Sequence, residues 1–294
     1  MLGVRRSQGR RFAAARWLER AVMVLLGEAA APGGASAVVA KPALPYVDLA
    51  IAVLIRGDEE EELKRVRRIY WRYPNATVTT SVGSWSFRKY FVVADPNAPP
   101  EGTLTGEFFR VNVPNGYDRL ADKTLATMAL RHHLDFRFLV KTDADTYPCL
   151  QRVIETLHAR GVAREPRLYA GLLNRCGKLF PAGHKLHDAQ FQAATGGVVP
   201  CHPMYHQGAF YILGRALVEH LDRSRDDLQV MSNEDAMVGL WLLGARRVLV
   251  DIGGDFHCAC FTKPRGEPGN DLPFYHFCKS EDKVAACLRK FGAC

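Results

Sequence analysis

No cysteine precedes Cys149 in this chain of 294 residues. All eight lie in the second half, at positions 149, 176, 201, 258, 260, 278, 287 and 294. An even number crowded into one half fits disulfides made in an oxidising compartment; free buried thiols are the alternative. A long apolar run is also missing. The most apolar window, residues 21–40, contains Glu28 and has Gly33 and Gly34 beside Pro32, which makes it a poor bilayer span. No other stretch approaches a membrane span, so a polytopic membrane protein is excluded. Internal repeats are absent too. With 48% hydrophobic and 24% charged residues, neither a disordered tail nor a collagen-like chain fits.

The formal net charge of +8 first suggests an anionic partner. Its location argues otherwise. Residues 1–20 hold six arginines against Glu19 alone, so most of the excess sits in a leader. The remainder is nearly balanced and has no lysine/arginine stripe interleaved with aromatics, which speaks against a nucleic-acid partner. Residues 1–44 therefore read as a basic leader, a weak signal-anchor or targeting segment, and residues 45–294 as one folded domain.

From residue 46 the pattern alternates strands and helices. Continuous apolar runs at 47–55, 90–94 and 136–140 are of the buried-strand type, and 168–173, 209–213 and 247–252 add further strands. Charged, periodic segments at 59–71, 118–132, 150–159 and 234–243 predict helices. This order predicts an α/β fold with a mostly parallel, mixed sheet.

Three segments carry chemistry. An apolar strand runs into Lys141-Thr142-Asp143-Ala144-Asp145, and ligands in open α/β sheets bind at the carboxyl ends of strands. Carboxylates at i and i+2 on such a turn suit a hard divalent cation carrying a diphosphate; a solvated turn or helix cap has the same residues. Ser232-Asn233-Glu234-Asp235 precedes an apolar helical run. It reads as ordinary capping, or as the source of a general base. Pro203, Tyr205, Gly208 and Tyr211 shape a loop before a strand, a ligand contact or a packed turn. Asn75-Ala76-Thr77 is a glycosylation sequon that matters only in a luminal protein.

The order and spacing of these segments resemble the β-1,3-galactosyltransferase family, the inverting group that includes β-1,3-N-acetylglucosaminyltransferases and fringe-like enzymes. The family's K-x-D-D-D appears as Lys141-Thr142-Asp143-Ala144-Asp145, with alanine in the middle. Its P-x-Y-x-x-G-x-x-Y appears as Pro203, Tyr205, Gly208 and Tyr211. Its E-D-V-x-x-G appears as Glu234-Asp235-Ala236-Met237-Val238-Gly239. Arg68 and Trp71, and Tyr117, Lys123 and Thr124, match parts of two upstream segments.

The resemblance implies a GT-A fold, a Rossmann-like α/β/α sandwich, binding a UDP-sugar donor and Mn²⁺ or Mg²⁺. It implies Asp145 as the direct metal ligand, with Asp143 sharing the metal or touching the nucleotide. A C-terminal histidine completes the set, His276 in preference to His257. Lys141, Tyr205, Gly208 and Tyr211 would line the cofactor pocket. Asp235 is the first candidate for the base and Glu234 the second. Lys123 faces the nucleotide or lies on a helix surface. The implied reaction is transfer of a hexose, galactose first, to a glycan or glycoprotein hydroxyl, with inversion to a β-linkage. N-acetylglucosamine transfer and a catalytically inactive binding relative are the alternatives. A type II membrane protein facing the Golgi lumen is the implied location, with membrane contact only through the N-terminal segment. A zinc site from His257, Cys258, Cys260, His276 and Cys278 is a competing reading, though its spacings are uncommon.

Overall fold

The computed structural model describes residues 43–55, 62–64, 66–67, 77–184, 187–253, 273–276, 280 and 282. Residues 1–42 of the leader, Arg68, Trp71, the sequon's Asn75 and Ala76, His257 and the cysteines at 258, 260, 278, 287 and 294 lie outside these residues, as does most of the competing zinc set.

Strand β1 (Tyr46–Leu54) is the centre of the sheet, since it is apolar on both sides and buried over its last six residues. It pairs in parallel with β3 (Gly83–Ala94) on one side and β6 (Asp135–Asp143) on the other. A buried strand must hide both faces, and the alternation along these strands shows how. Leu49, Ile51 and Val53 of β1 and Phe138 and Val140 of β6 join one core, and Leu150, Val153, Ile154 and Leu157 join the same one. Ala50, Ala52 and Leu54 of β1 and Leu139 of β6 join the other, with Ala121, Leu125, Leu217, Leu221 and Val238. Helices thus cover both faces, the α/β/α sandwich expected of the GT-A fold.

The full strand order is β12-β8-β11-β6-β1-β3-β5-β4, with β2 (Thr77–Thr80) on β3. Here β4 is Thr103–Thr105, β5 Phe108–Val111, β8 Leu168–Asn174, β11 Tyr205–Gly214 and β12 Val248–Asp251. Strands β1, β3, β5, β6, β8 and β12 run one way and β2, β4 and β11 the other. The sheet is mostly parallel and mixed, as expected. Five helices are used below: α1 (Leu120–Thr127), α2 (Leu150–Ala159), α3 (Ala189–Ala194), α4 (Arg215–Arg223) and α5 (Glu234–Trp241).

Differences from the sequence reading are local. The helix expected over 118–132 is α1 flanked by two 3-10 turns, Tyr117–Arg119 and Met128–His132. Strand β3 begins seven residues earlier than expected because its first half pairs with β2. Helices α3 and α4 were not expected. Among the described residues, no helix is long and apolar enough to cross a membrane.

Two short antiparallel pairs lie off the main sheet. Strand β7 (Tyr147–Pro148) pairs with β13 (Phe274–Tyr275), and β9 (Gly177–Lys178) pairs with β10 (Cys201–His202). Cys176 and Cys201 form a disulfide beside the second pair, and Cys149 is buried and outside it. The disulfide expectation therefore holds for one pair.

Candidate active site

Strand β6 ends at Asp143, and the chain turns at once. The Thr146 N–H donates to the Asp143 carbonyl at 3.1 Å, which holds Asp143 and Asp145 on the same turn. Ala144, between them, is buried in the core beneath β1 and β6. A third carboxylate there would be desolvated without a partner, so alanine is the residue this packing accepts. The outer acids are left to the crevice at the strand's carboxyl end.

The β7–β13 pairing then brings a residue from far along the chain. Tyr275 pairs with Tyr147 and Phe274 with Pro148, while the Cys149 N–H donates to the Pro273 carbonyl at 2.8 Å. His276 follows directly. Its Nδ1 lies 3.3 Å from Asp145 Oδ1 and 2.9 Å from the Thr146 hydroxyl. One ligand atom from each of Asp143, Asp145 and His276 lies within 4.8 Å of the other two, and all three residues are buried. Two carboxylates and an imidazole this close suit a divalent cation, and the hard oxygens suit Mn²⁺ or Mg²⁺.

A second cluster adjoins the first through Asp143. The Lys141 ammonium is 2% exposed. It donates to Asp143 Oδ1 and Glu234 Oε2, each at 2.9 Å, and to the Gly208 carbonyl. An ammonium has three N–H groups, and all three are used. Burial opposes its charge, but Asp143 and Glu234 outweigh that and hold the amine above its ordinary pKa. Glu234 is engaged at its other oxygen too. Oε1 accepts from the Tyr211 hydroxyl at 2.7 Å and the Thr124 hydroxyl at 2.9 Å. Burial first, then Asp235 and Asp143, push the Glu234 carboxyl up, against the pull of Lys141.

Four of the residues singled out from the sequence are engaged by protein partners. Lys141 and Tyr211 have no open donor to offer a nucleotide; both lie beneath the crevice, committed to protein partners. Glu234 is buried and both of its oxygens accept hydrogen bonds from protein donors. Lys123 neither faces a ligand nor lies on a surface: it is 1% exposed, and its Nζ donates to the Ile55 carbonyl at 2.7 Å.

Asp235 differs from its neighbour. It is half-buried at the start of α5, and its Oδ2 accepts the Gly208 N–H at 2.9 Å. The Asn233 side chain makes no capping bond, so the two acids are held by the sheet rather than serving only the helix end. Gly208 lies where the β8–β11 register shifts, between His206 and Tyr211. A Cβ on Gly208 would stand 2.6 Å from Glu234 Oε2 and 3.1 Å from Asp235 Cγ; only glycine fits.

Tyr205 supports this arrangement from behind. Its ring packs on Gly177, and Gly239 of α5 packs on its Cβ; Cβ atoms there would approach it to 2.4 and 2.5 Å. The hydroxyl accepts from Asn174 Nδ2 at 3.0 Å, and burial, then Asp235, raise its pKa. Thr146 and Asn174 were not singled out from the sequence; their roles arise from tertiary contacts alone.

Known proteins can now be set beside this geometry. The galactosyltransferase family profile matches residues 99–250, just over half of the chain. β-1,3-Galactosyltransferase 6 of Mus musculus is 32% identical over 129 residues, 44% of this chain and 38% of that protein. The "Probable beta-1,3-galactosyltransferase 8" of Arabidopsis thaliana is 28% identical over 208 residues, 67% of this chain and 51% of that protein.

The chain belongs to the β-1,3-galactosyltransferase family.

It spans about half or less of the length of these two relatives of the β-1,3-galactosyltransferase family. Two solved structures are also similar. A CMP:2-keto-3-deoxy-manno-octonic acid synthetase complexed with CTP has 16% identity and a TM-score of 0.37, covering 69% of this chain and 90% of that one. A glycosyltransferase involved in glycosylation of the major capsid of PBCV-1 has 11% identity and a TM-score of 0.38, covering 82% and 98%. The galactosyltransferase match includes Lys141, Asp143, Asp145, Tyr205, Gly208, Tyr211, Glu234 and Asp235, whereas His276 lies beyond it.

Proposed function

We propose that this member of the β-1,3-galactosyltransferase family is a metal-dependent inverting hexosyltransferase. It moves galactose from UDP-galactose to a hydroxyl of a glycan or glycoprotein and forms a β-1,3 linkage. The observation that carries the reading is the buried Asp143, Asp145 and His276 cluster, joined through Lys141 and the Gly208 peptide to the half-buried Asp235. Donor-side and acceptor-side chemistry are thereby held in one frame.

Asp143, Asp145 and His276 would hold a divalent cation, which when bound supplies positive charge for the leaving diphosphate. Inversion needs a base on the face opposite the leaving group. Asp235 is that base: Gly208 fixes Oδ2, and Oδ1 takes the proton from the attacking acceptor hydroxyl. Tyr205, Gly177 and Gly239 keep α5 close to β11, so the carboxylate cannot drift. The Cys176–Cys201 disulfide supports an oxidising lumen, the Golgi by family habit, as the place of work.

The test is a donor panel on the full chain with Mn²⁺, reading UDP release and product linkage. UDP-galactose should be the preferred donor, chelation should abolish release, and Asp145→Ala should do the same. UDP binding without turnover of any donor would overturn the enzymatic reading in favour of a binding relative. Preference for UDP-N-acetylglucosamine would overturn the galactose assignment alone.

A further inference from the structure

We infer that Lys141 and Glu234 are a positioning pair that sets the placement of the acceptor base relative to the donor-side carboxylates. The inference rests on the reading of Asp235 as the base.

The Gly208 peptide makes the connection. Its carbonyl accepts from Lys141, which also holds Asp143; its N–H donates to Asp235. The two peptide planes that meet at the Gly208 Cα therefore reach the donor-side and acceptor-side carboxylates, each plane fixed by one hydrogen bond. Glu234 fixes Lys141 in turn. That carboxylate is tied to three elements besides its own: β6 through Lys141, β11 through Tyr211 and α1 through Thr124. Absence of room for a Cβ at Gly208 removes slack between the peptide and the two acids of α5.

The pair also bridges strands already in register. Tyr211 of β11 is opposite Lys141 of β6, and the Lys141 Nζ lies 5.5 Å from the Tyr211 ring centroid. The ammonium thus sits under the joint between the strand that carries Asp143 and the one that carries Gly208. A merely stabilising ion pair could point either of its partners elsewhere. Here the remaining bonds of Lys141 go to Asp143 and to the Gly208 carbonyl, whose residue holds Asp235, and those of Glu234 anchor the pair to β11 and α1.

The experiment compares the wild-type full chain with Glu234→Gln and with the double variant Lys141→Met, Glu234→Met. Five readouts are needed: transfer kcat, acceptor KM, UDP-sugar hydrolysis, UDP affinity with Mn²⁺ by calorimetry, and melting temperature. Glu234→Gln should lower transfer kcat by about 100-fold, the penalty of a reacting group displaced by a fraction of an ångström to an ångström. UDP affinity and acceptor KM should stay within about threefold, because the groups that bind the donor remain. UDP-sugar hydrolysis, which does not need a placed acceptor base, should fall less than transfer. If Glu234→Gln does not fold, the double variant decides, since replacing a buried ion pair by apolar residues commonly restores stability. A folded double variant with transfer still depressed supports the positioning role. Recovery of transfer together with folding, or Glu234→Gln with undiminished kcat, would overturn it. A wild-type chain with no turnover of any UDP-sugar would instead sink the functional reading, and is seen separately.

Discussion

His276 Nδ1 lies 3.3 Å from Asp145 Oδ1, although the two residues are far apart in sequence and their segments are joined by a two-residue strand pair. That contact completes a three-ligand cluster whose other two members come from one turn. The Thr146 hydroxyl, 2.9 Å from the same ring nitrogen, orients the imidazole. Partners of this kind tune a metal site as much as the ligands do.

Manganese should therefore stabilise the chain. At about 100 times its dissociation constant, the gain expected from linkage is about 3 kcal/mol. His276→Ala and Asp145→Ala should remove most of that gain without changing the melting temperature of the metal-free protein by a comparable amount. Thr146→Val should weaken metal binding by about 10- to 100-fold, as losses of orienting partners do. Thermal melts with and without Mn²⁺ measure all three, and an unchanged manganese shift in His276→Ala would remove His276 from the ligand set.

Gly208→Ala is the sharpest steric test. The added methyl would lie 2.6 Å from Glu234 Oε2 and 3.1 Å from Asp235 Cγ. Neither carboxylate can retreat without breaking bonds to Lys141, Tyr211 or the Gly208 N–H itself. Overpacking of this kind costs about 1–3 kcal/mol. The variant should melt lower and lose transfer disproportionately, and circular dichroism with a UDP-release assay checks both.

A pH effect follows from His206, which is fully buried and bonded through Nε2 to the Tyr169 carbonyl at 3.0 Å. A carbonyl only accepts, so the neutral ring carries its proton on Nε2. Burial pushes the imidazole down to about 4, against the opposing pull of Tyr169 and Asp251. The unfolded ring titrates at its ordinary value of 6.5. Between those two values the unfolded chain binds the proton and the folded one does not. Stability should therefore fall as pH drops from about 6.5 to about 4, by about 3 kcal/mol for this group, and stay flat above. Urea titrations at pH 7 and pH 5 measure the slope. His206→Gln should flatten it; an unchanged slope would assign the acid sensitivity to other groups.

What the sequence disclosed and what it hid divide along a physical line. The strands around β1, β6 and β11 announce themselves because burial on both faces demands continuous apolar runs. Helix α2 matches its expected span because Leu150, Val153, Ile154 and Leu157 recur on one face. Asp143 and Asp145 stand out because they follow a buried strand, at whose carboxyl end ligands of open α/β sheets bind. The hidden features depend on partners. A strand-borne lysine reads as a ligand contact until Gly208 and Glu234 are seen to consume it. Ala144 reads as a lost acid until its side chain is found in the core. Helix α4 was missed because it starts directly after the end of β11 at Gly214, with no loop to mark the change of period. Pairing of β7 with β13 is a tertiary event between short segments, and neither carries a strand signal of its own.

The decisive chemical prediction concerns Asp235. If its carboxylate takes the acceptor proton, Asp235→Asn keeps the shape and the Gly208 N–H contact through the amide oxygen but cannot accept the proton. Transfer kcat should drop by about 10²- to 10⁴-fold, the usual worth of a positioned general base. UDP affinity should be unchanged, because Asp235 is not part of the Asp143, Asp145 and His276 cluster that would meet the diphosphate. Folding should be unaffected, since the side chain is half-buried and accepts one hydrogen bond that the amide can replace. Parallel kinetics on Glu234→Gln separate the two acids. Both variants lose kcat, but they should differ in their response to an acceptor whose hydroxyl is more acidic. Such an acceptor lessens the need for a base, so it should recover part of the Asp235→Asn loss and little of the Glu234→Gln loss. Equal recovery in both would mean that the neighbouring acids share the proton transfer. No recovery in either would move the base to another residue.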